Sequence, residues 1–280
     1  MADVHDQLIG AYDRAAPTYD LAGISHFAPF GRRLAEIADL VPGERVLDAA
    51  CGSGAVLVPA AEAVGPDGEV VGIDRAPGMV DRARAELAKT DLAHASAEVM
   101  DAAELRFGDA SFDVVLSGFG LPALADADAA LSEWLRVLTP AGRIGVSSWE
   151  ALVDNRWLWE GELMQEFAHE VPPELLAEVG RMSQRFNEVG TLSYELEGAG
   201  FGDVLVERMT IERTYPSARA WWEWILSHGP RAFVEALPPE SRERFRAAAF
   251  ERIGNLGRRG RKRQFVALLA TARRPEVTSD

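Results

Sequence analysis

The chain has 280 residues, enough for one α/β domain with an added cap or for two small domains. Its 48% hydrophobic and 26% charged residues are ordinary for a folded water-soluble protein, and a net charge of −15 argues against a general nucleic-acid binder, because phosphate binding rests on cationic surface. The opening Met1-Ala-Asp-Val-His-Asp6 has no apolar signal core, no apolar stretch approaches a membrane span, and a lone cysteine closes no intrachain disulfide, so a cytoplasmic protein is expected. Lys89 and Lys262 are the only lysines, which leaves arginine to carry nearly all the positive charge.

In chain order, Val4, Leu8, Ile9 and Tyr12 predict a helix over 4–16, interrupted by Pro17 and followed by Tyr19-Asp20. A second helix over 27–40 sets Phe30, Leu34, Ile37 and Ala38 on one face and stops at Pro42-Gly43. Strands are then expected at Arg45–Ala49, Glu69–Asp74, 96–100, 112–117 and 143–149, alternating with helices over 54–64, 77–89 and 126–138. Such alternation of apolar strands with helices indicates a parallel sheet covered on both faces. Pro77 suits the first turn of its helix and Asp126 can cap the next, whereas Pro59 is expected to kink or split the helix that holds it. Beyond Trp149 the pattern turns helical over 152–185, with a break at Pro172-Pro173, and again over 187–199, ended by Gly200. A long strand over 201–215, helical sequence over 217–256, a last strand over 264–272 and a frayed tail over 274–280 complete the reading.

The segment Val46-Leu-Asp-Ala-Ala-Cys-Gly-Ser-Gly54 organises this pattern. A strand end, a turn of small residues and a helix start turn backbone N–H groups toward a ligand. A dinucleotide site wants a third glycine where Leu57 stands, and Asp48 would repel its pyrophosphate. A carboxylate there suits a ligand with an ammonium and a sulfonium, S-adenosylmethionine. Cys51 is read as the small residue the turn needs rather than as a nucleophile. About twenty residues after Gly54, the second strand ends in Asp74, the spacing that sets an acidic residue on ribose hydroxyls.

With these two signals the chain resembles the class I S-adenosylmethionine-dependent methyltransferases, particularly the ubiquinone/menaquinone-biosynthesis type that acts on small molecules. The resemblance covers roughly residues 45–149, with Ala50 in place of a common first glycine. It implies a Rossmann-like, mainly parallel seven-stranded sheet with helices on both faces and a helical lid. It also implies N-terminal helices over the cofactor site (1–43), a binding core (44–150), a lid insertion (151–199), a core strand (200–216), second lid helices (217–260) and a last core strand with tail (261–280). Asp48, Ala50, Gly52, Gly54 and Asp74 are then cofactor residues, joined by Met79 against the adenine, by Asp101 and Ala102 at its amino group, and by Ser117 at the methionine end. Tyr19, in the stretch Tyr12 to Asp20, is a candidate cofactor contact and proton acceptor.

Phe119 follows the fourth strand between two glycines and is a candidate substrate contact. In the lid, Trp157, Trp159, Trp221, Trp222 and Trp224 precede Ser227-His-Gly-Pro-Arg231. Trp221, Trp224, His228 and Arg231 are candidate acceptor contacts, and His228 is the candidate general base. His26, His94 and His169 have less to support them. The expected reaction is in-line methyl transfer to carbon or oxygen of a small lipophilic metabolite, without a metal, releasing S-adenosylhomocysteine. A diphosphate-bearing isoprenoid acceptor becomes the expectation if the basic run 258–263 turns inward with Arg231, Arg242 or Arg244. Rivals on the same fold are a cyclase or rearrangement enzyme that holds the cofactor, and a non-catalytic binding protein on a degenerate scaffold. A nicotinamide dehydrogenase is disfavoured by Asp48.

Overall fold

In the computed structural model, which describes residues 4–20, 25–151 and 155–276, seven strands form one sheet. They are β1 (Arg45–Ala49), β2 (Glu69–Asp74), β3 (Ala95–Val99), β4 (Phe112–Gly118), β5 (Leu138–Trp149), β6 (Gly202–Thr214) and β7 (Lys262–Arg273), in the order β3-β2-β1-β4-β5-β7-β6. The pairings from β3 through β5 are parallel and β7 runs antiparallel to β5. Strand order reverses between β1 and β4, and ligands of such open sheets bind beyond the carboxyl ends at that point.

The helices are α1 (Val4–Ala15), α2 (Phe27–Ile37), α3 (Leu57–Val64), α4 (Pro77–Leu87), α5 (Ala127–Val137), α6 (Leu158–Phe167), α7 (Pro173–Gln184), α8 (Val189–Gly198), α9 (Ala218–Ile225), α10 (Arg231–Ala236), α11 (Pro239–Asn255) and the single turn α12 (Gly257–Gly260). Alternate β1 residues serve opposite layers. Leu47 and Ala49 join a core with Leu131 and Trp134 of α5 and Leu192 and Leu196 of α8. On the other face Leu34 and Ala38 close over Gly145 of β5.

The chain divides into two compact units. The core unit holds 27–150, 185–209 and 267–280; the other holds 1–26, 151–184 and 210–266. Helix α2, expected among the N-terminal covering helices, and α8, expected in the lid insertion, therefore both belong to the core unit. The sequence boundaries at 43 and 199 followed the motif and a glycine. The physical boundaries follow burial, since Phe30 and Leu34 of α2 and Leu192 and Leu196 of α8 are fully covered.

Pro59 does not kink its helix. Helix α3 begins at Leu57, so Pro59 sits in the first turn, where its missing N–H interrupts no bond within the helix itself. The carbonyl of Ala55, with no N–H at 59 to receive, faces α2 so closely that a Cβ on Gly31 would lie 2.1 Å from it. Arg274 is not frayed: its N–H donates to Gly142 O at 2.8 Å and its guanidinium to Leu135 O at 3.0 Å. The expected helix start at 152 and the tail beyond 276 lie outside the described residues. Asp126 caps α5 as expected, accepting from the Ala129 N–H at 2.9 Å.

Candidate active site

In the core unit, Asp48 lies one residue before the end of β1, opposite Gly72 of β2 and Leu116 of β4. Its side chain is 0% exposed, and neither carboxylate oxygen meets a hydrogen-bond donor at bonding geometry. Burial, and then the charge of Asp74, push this carboxyl well above the ordinary carboxylate range; the Leu57 N–H offsets that only in part. A buried acid without a bonded partner is costly on its own, and a cation at this position would offset that cost.

The turn after β1 is left-handed at three points, Ala50 (φ 58°), Gly52 (φ 52°) and Gly54 (φ 93°). Ala50 therefore keeps the glycine conformation at a cost of about 1 kcal/mol. Room for its methyl group comes from β4 and the residues after it. A Cβ on Gly120 would lie 2.5 Å from Ala50 Cβ and 2.7 Å from Ser117 Oγ, and one on Gly118 would lie 2.6 Å from Val56. Leu57, the residue in the third-glycine position, fills space that Gly72 leaves open.

Asp74 holds the turn from the end of β2, accepting from the Gly52 N–H and the Ala76 N–H, each at 2.9 Å. Burial raises its pKa and these backbone bonds work against the rise. A carboxylate offers about four lone-pair sites, so its half-buried oxygens retain capacity for ribose hydroxyls. An uncompensated acid at the turn, backbone that approaches closely at two glycines and a second acid at the ribose spacing together fit S-adenosylmethionine. Cys51 is buried among them, and its thiol is pushed up by burial and by Asp48 and Asp74, the reverse of what a nucleophile needs.

Met79 is buried on the inner face of α4. Asp101 follows β3, accepts from the Ala103 N–H at 2.9 Å and pairs with Arg75 at 3.4 Å. Ala102 is buried, and its carbonyl accepts from Trp134 Nε1 at 3.0 Å. Ser117 is fully buried on β4. Phe119 is half-buried with φ 60°, its N–H bonded to Ser147 and its ring stacked on Trp149 at 4.1 Å, with Phe27 and Phe30 at its edges. The sequence reading set Phe27 and Phe30 in a structural helix and Trp149 at a strand end, and named none of them as a site residue. Only the pairing of β4 with β5, which sets Gly118 beside Ser147, brings Trp149 to this level.

In the other unit, His228 follows α9 and is 5% exposed. Its Nδ1 lies 2.7 Å from Trp224 O and 2.8 Å from Ser227 Oγ. Because a carbonyl only accepts, the proton is assigned to Nδ1, which makes Nε2 the basic nitrogen. Burial pulls the His228 pKa down to about 4. The Tyr19 ring lies 5.1 Å from the His228 ring, so the structure brings these two candidates together. Asp20 and His26 are beside them, a juxtaposition across about 200 residues of sequence that no spacing rule reveals.

Tryptophans of this unit pack against one another at tilted angles. Trp221 has no exposed surface and donates to Glu160 at 2.6 Å, Trp157 donates to Lys262 O at 3.1 Å, and Trp224 reaches His26 Nδ1 at 3.4 Å. Arg231 is engaged by Glu235 at 2.6 Å and by the carbonyls of Arg14 and Leu226. The basic run does not turn inward as a group. Arg258 and Arg259 ride on α12, Arg261 bonds Pro216 O, and Lys262 pairs with Glu212. Arg263 alone is buried, paired with Glu160 at 2.7 Å among the rings of Trp157, Trp224 and Phe265. Burial opposes its charge, and Glu160 and Tyr215 outweigh that opposition. Arg242 bonds carbonyls at the end of α10 and Arg244 pairs with Glu170, so Arg231, Arg242 and Arg244 each already have a partner.

Residues 46–142 match the family described as "Methyltransferase domain". The nocamycin O-methyltransferase of Saccharothrix syringae is 37% identical over 240 residues, covering 82% of this chain and 85% of that protein. The aklanonic acid methyltransferase of Streptomyces sp. (strain C5) is 46% identical over 142 residues, 51% of this chain and 64% of that protein. In fold, the chain resembles a Haemonchus contortus phosphoethanolamine N-methyltransferase solved with phosphomonomethylethanolamine and S-adenosylhomocysteine (TM-score 0.61, 17% identity, 99% of this chain and 61% of that one). The core motif, the sheet order and these relatives agree: the chain belongs to the class I S-adenosylmethionine-dependent methyltransferases.

Proposed function

We propose that this methyltransferase methylates an oxygen of a small lipophilic metabolite, with the acceptor recognised by residues of the unit that carries His228. Oxygen is favoured over carbon by the likeness to an O-methyltransferase across most of the chain. The observation that carries the acceptor assignment is the orientation of His228, whose Nδ1 is fixed on the Trp224 carbonyl at 2.7 Å in an apolar, aromatic setting. When bound, S-adenosylmethionine supplies an intrinsically electrophilic methyl group, so the protein's work is positioning, dehydration and handling of one proton.

Asp48 holds the cationic methionine end, Gly52 and Gly54 admit its backbone, and Asp74 holds the ribose. Met79, Asp101, Ala102, Ser117 and Ala50 line the remainder. Where the acceptor oxygen still carries a proton, His228 Nε2 takes it as the new O–C bond forms and the S–C bond breaks, its electron pair passing to sulfur. Tyr19 orients the acceptor against that ring. Phe119 serves as an apolar contact in the core unit, and Trp224 and Arg231 as acceptor contacts in the other unit.

The test is product analysis with the purified protein, following S-adenosylhomocysteine and the mass and attachment of the new methyl group across lipophilic hydroxy and carboxylic acceptors. Methylation only at carbon or nitrogen would sink the oxygen assignment. His228→Gln is expected to lower kcat about a hundredfold on protonated acceptors, with S-adenosylmethionine affinity kept. Unchanged kcat on every such acceptor would remove His228 from the reaction.

A further inference from the structure

Asp20 and His26 have no part in the methyl-transfer reading, yet they converge on His228. One ligand-capable atom of each of the three side chains lies within 4.8 Å of the others. Asp20 Oδ1 stands 3.9 Å from His26 Nδ1 and 4.0 Å from His228 Nε2. Both imidazoles are buried, and the carboxylate is half-buried.

The surroundings are those of a ligand set with its outer shell in place. The carbonyl of Trp224 fixes His228 Nδ1–H and so sets the tautomer with Nε2 toward Asp20. Asp20 is oriented by the Ser25 hydroxyl at 2.6 Å on Oδ2 and by the His26 N–H at 3.1 Å on Oδ1. Its backbone is left-handed (φ 54°). The His26 ring is held by stacking on Phe265 at 4.7 Å. The Trp224 N–H competes for His26 Nδ1, at a long 3.4 Å. Tetrahedral ligands at bonds of roughly 2.0–2.1 Å stand about 3.3 Å apart, so the set closes on an ion with a contraction of about 0.6–0.7 Å for the two Asp20 pairs and at most about 1.5 Å between the imidazoles.

We propose that Asp20, His26 and His228 form a site for a late first-row divalent ion, with Zn2+ as the probe, and that the bound ion inhibits methyl transfer by occupying His228 Nε2. Two imidazoles and one carboxylate select Zn2+ and its neighbours over Mg2+, which wants six oxygens. The inhibition rests on the acceptor role given to His228 above; the binding does not.

Tag-free, chelator-treated full-length protein is titrated with Zn2+ and separately with Mg2+ by calorimetry, and with Co2+ by visible absorption. The expected result is one Zn2+ per chain, Mg2+ at least a hundredfold weaker, and Co2+ bands of a low-coordinate site. His26→Gln and Asp20→Asn are expected to weaken Zn2+ at least tenfold with circular dichroism unchanged, and methylation to fall with the midpoint of Zn2+ binding. Absence of saturable binding, equal affinity for Mg2+, or folded variants that bind like wild type would overturn the site and leave the role of His228 untouched. Stoichiometric binding with undiminished methylation would overturn the inhibition and, with it, the placement of His228 at the acceptor.

Discussion

The Asp48 carboxyl stands well above the ordinary carboxylate range in the free protein, because burial and then the nearby Asp74 both disfavour its charge. A cationic ligand reverses that preference. Binding of S-adenosylmethionine is therefore expected to release a proton, and affinity to rise with pH, by up to about tenfold per unit, while free Asp48 is still protonated. Calorimetry in buffers of different ionisation enthalpy checks the release, and S-adenosylhomocysteine, which lacks the sulfonium charge, is expected to release less. Asp48→Asn is expected to abolish the release and to weaken binding about tenfold to a hundredfold. The sign for folding is the opposite. The folded state keeps a proton that the unfolded chain loses, so Asp48 costs stability as pH climbs from the ordinary carboxylate range toward its raised value. Ala50 offers a second residue-level test. Ala50→Gly removes the left-handed strain and is expected to raise stability by about 0.5–1 kcal/mol with cofactor binding kept, read from denaturant midpoints.

At the scale of elements, α2 and α3 meet through one missing side chain and one missing N–H. Gly31→Ala would drive a methyl group into the Ala55 carbonyl, and neither backbone can yield cheaply; a loss of about 2–3 kcal/mol in unfolding free energy is expected. The same contact shows what was legible beforehand. Strands β1 and β2 were read to the residue, because a charged end and a small-residue turn mark where each stops. Pro59 misled because a helix start was set at the last glycine of the motif, three residues before the backbone becomes helical. That offset depends on the close approach of α2, which no local pattern encodes. Asp126, whose cap is made within four residues, was read correctly for the complementary reason.

For the molecule as a whole, the two units differ in how much of them sequence discloses. The core unit's candidate cofactor residues are neighbours in the chain or sit at strand ends of a repeating pattern. The other unit is assembled from long-range meetings, such as Arg263 with Glu160 and His228 with Asp20. A basic run reads as a solvated loop until one member is seen to point inward. Breaking that pair leaves a guanidinium buried among rings, so Glu160→Gln is expected to cost about 3 kcal/mol in thermal or denaturant unfolding. The double variant Glu160→Gln/Arg263→Met, which removes both charges, is expected to recover most of that loss.

The scarcity of lysine has a practical use. Lys89 lies in the core unit and Lys262 in the other, while Cys51 is buried and poorly reactive. Apart from a terminal amine, amine chemistry thus addresses each unit at a single point. Replacing either lysine by arginine leaves one side-chain attachment position for a fluorophore, so that each unit becomes separately observable.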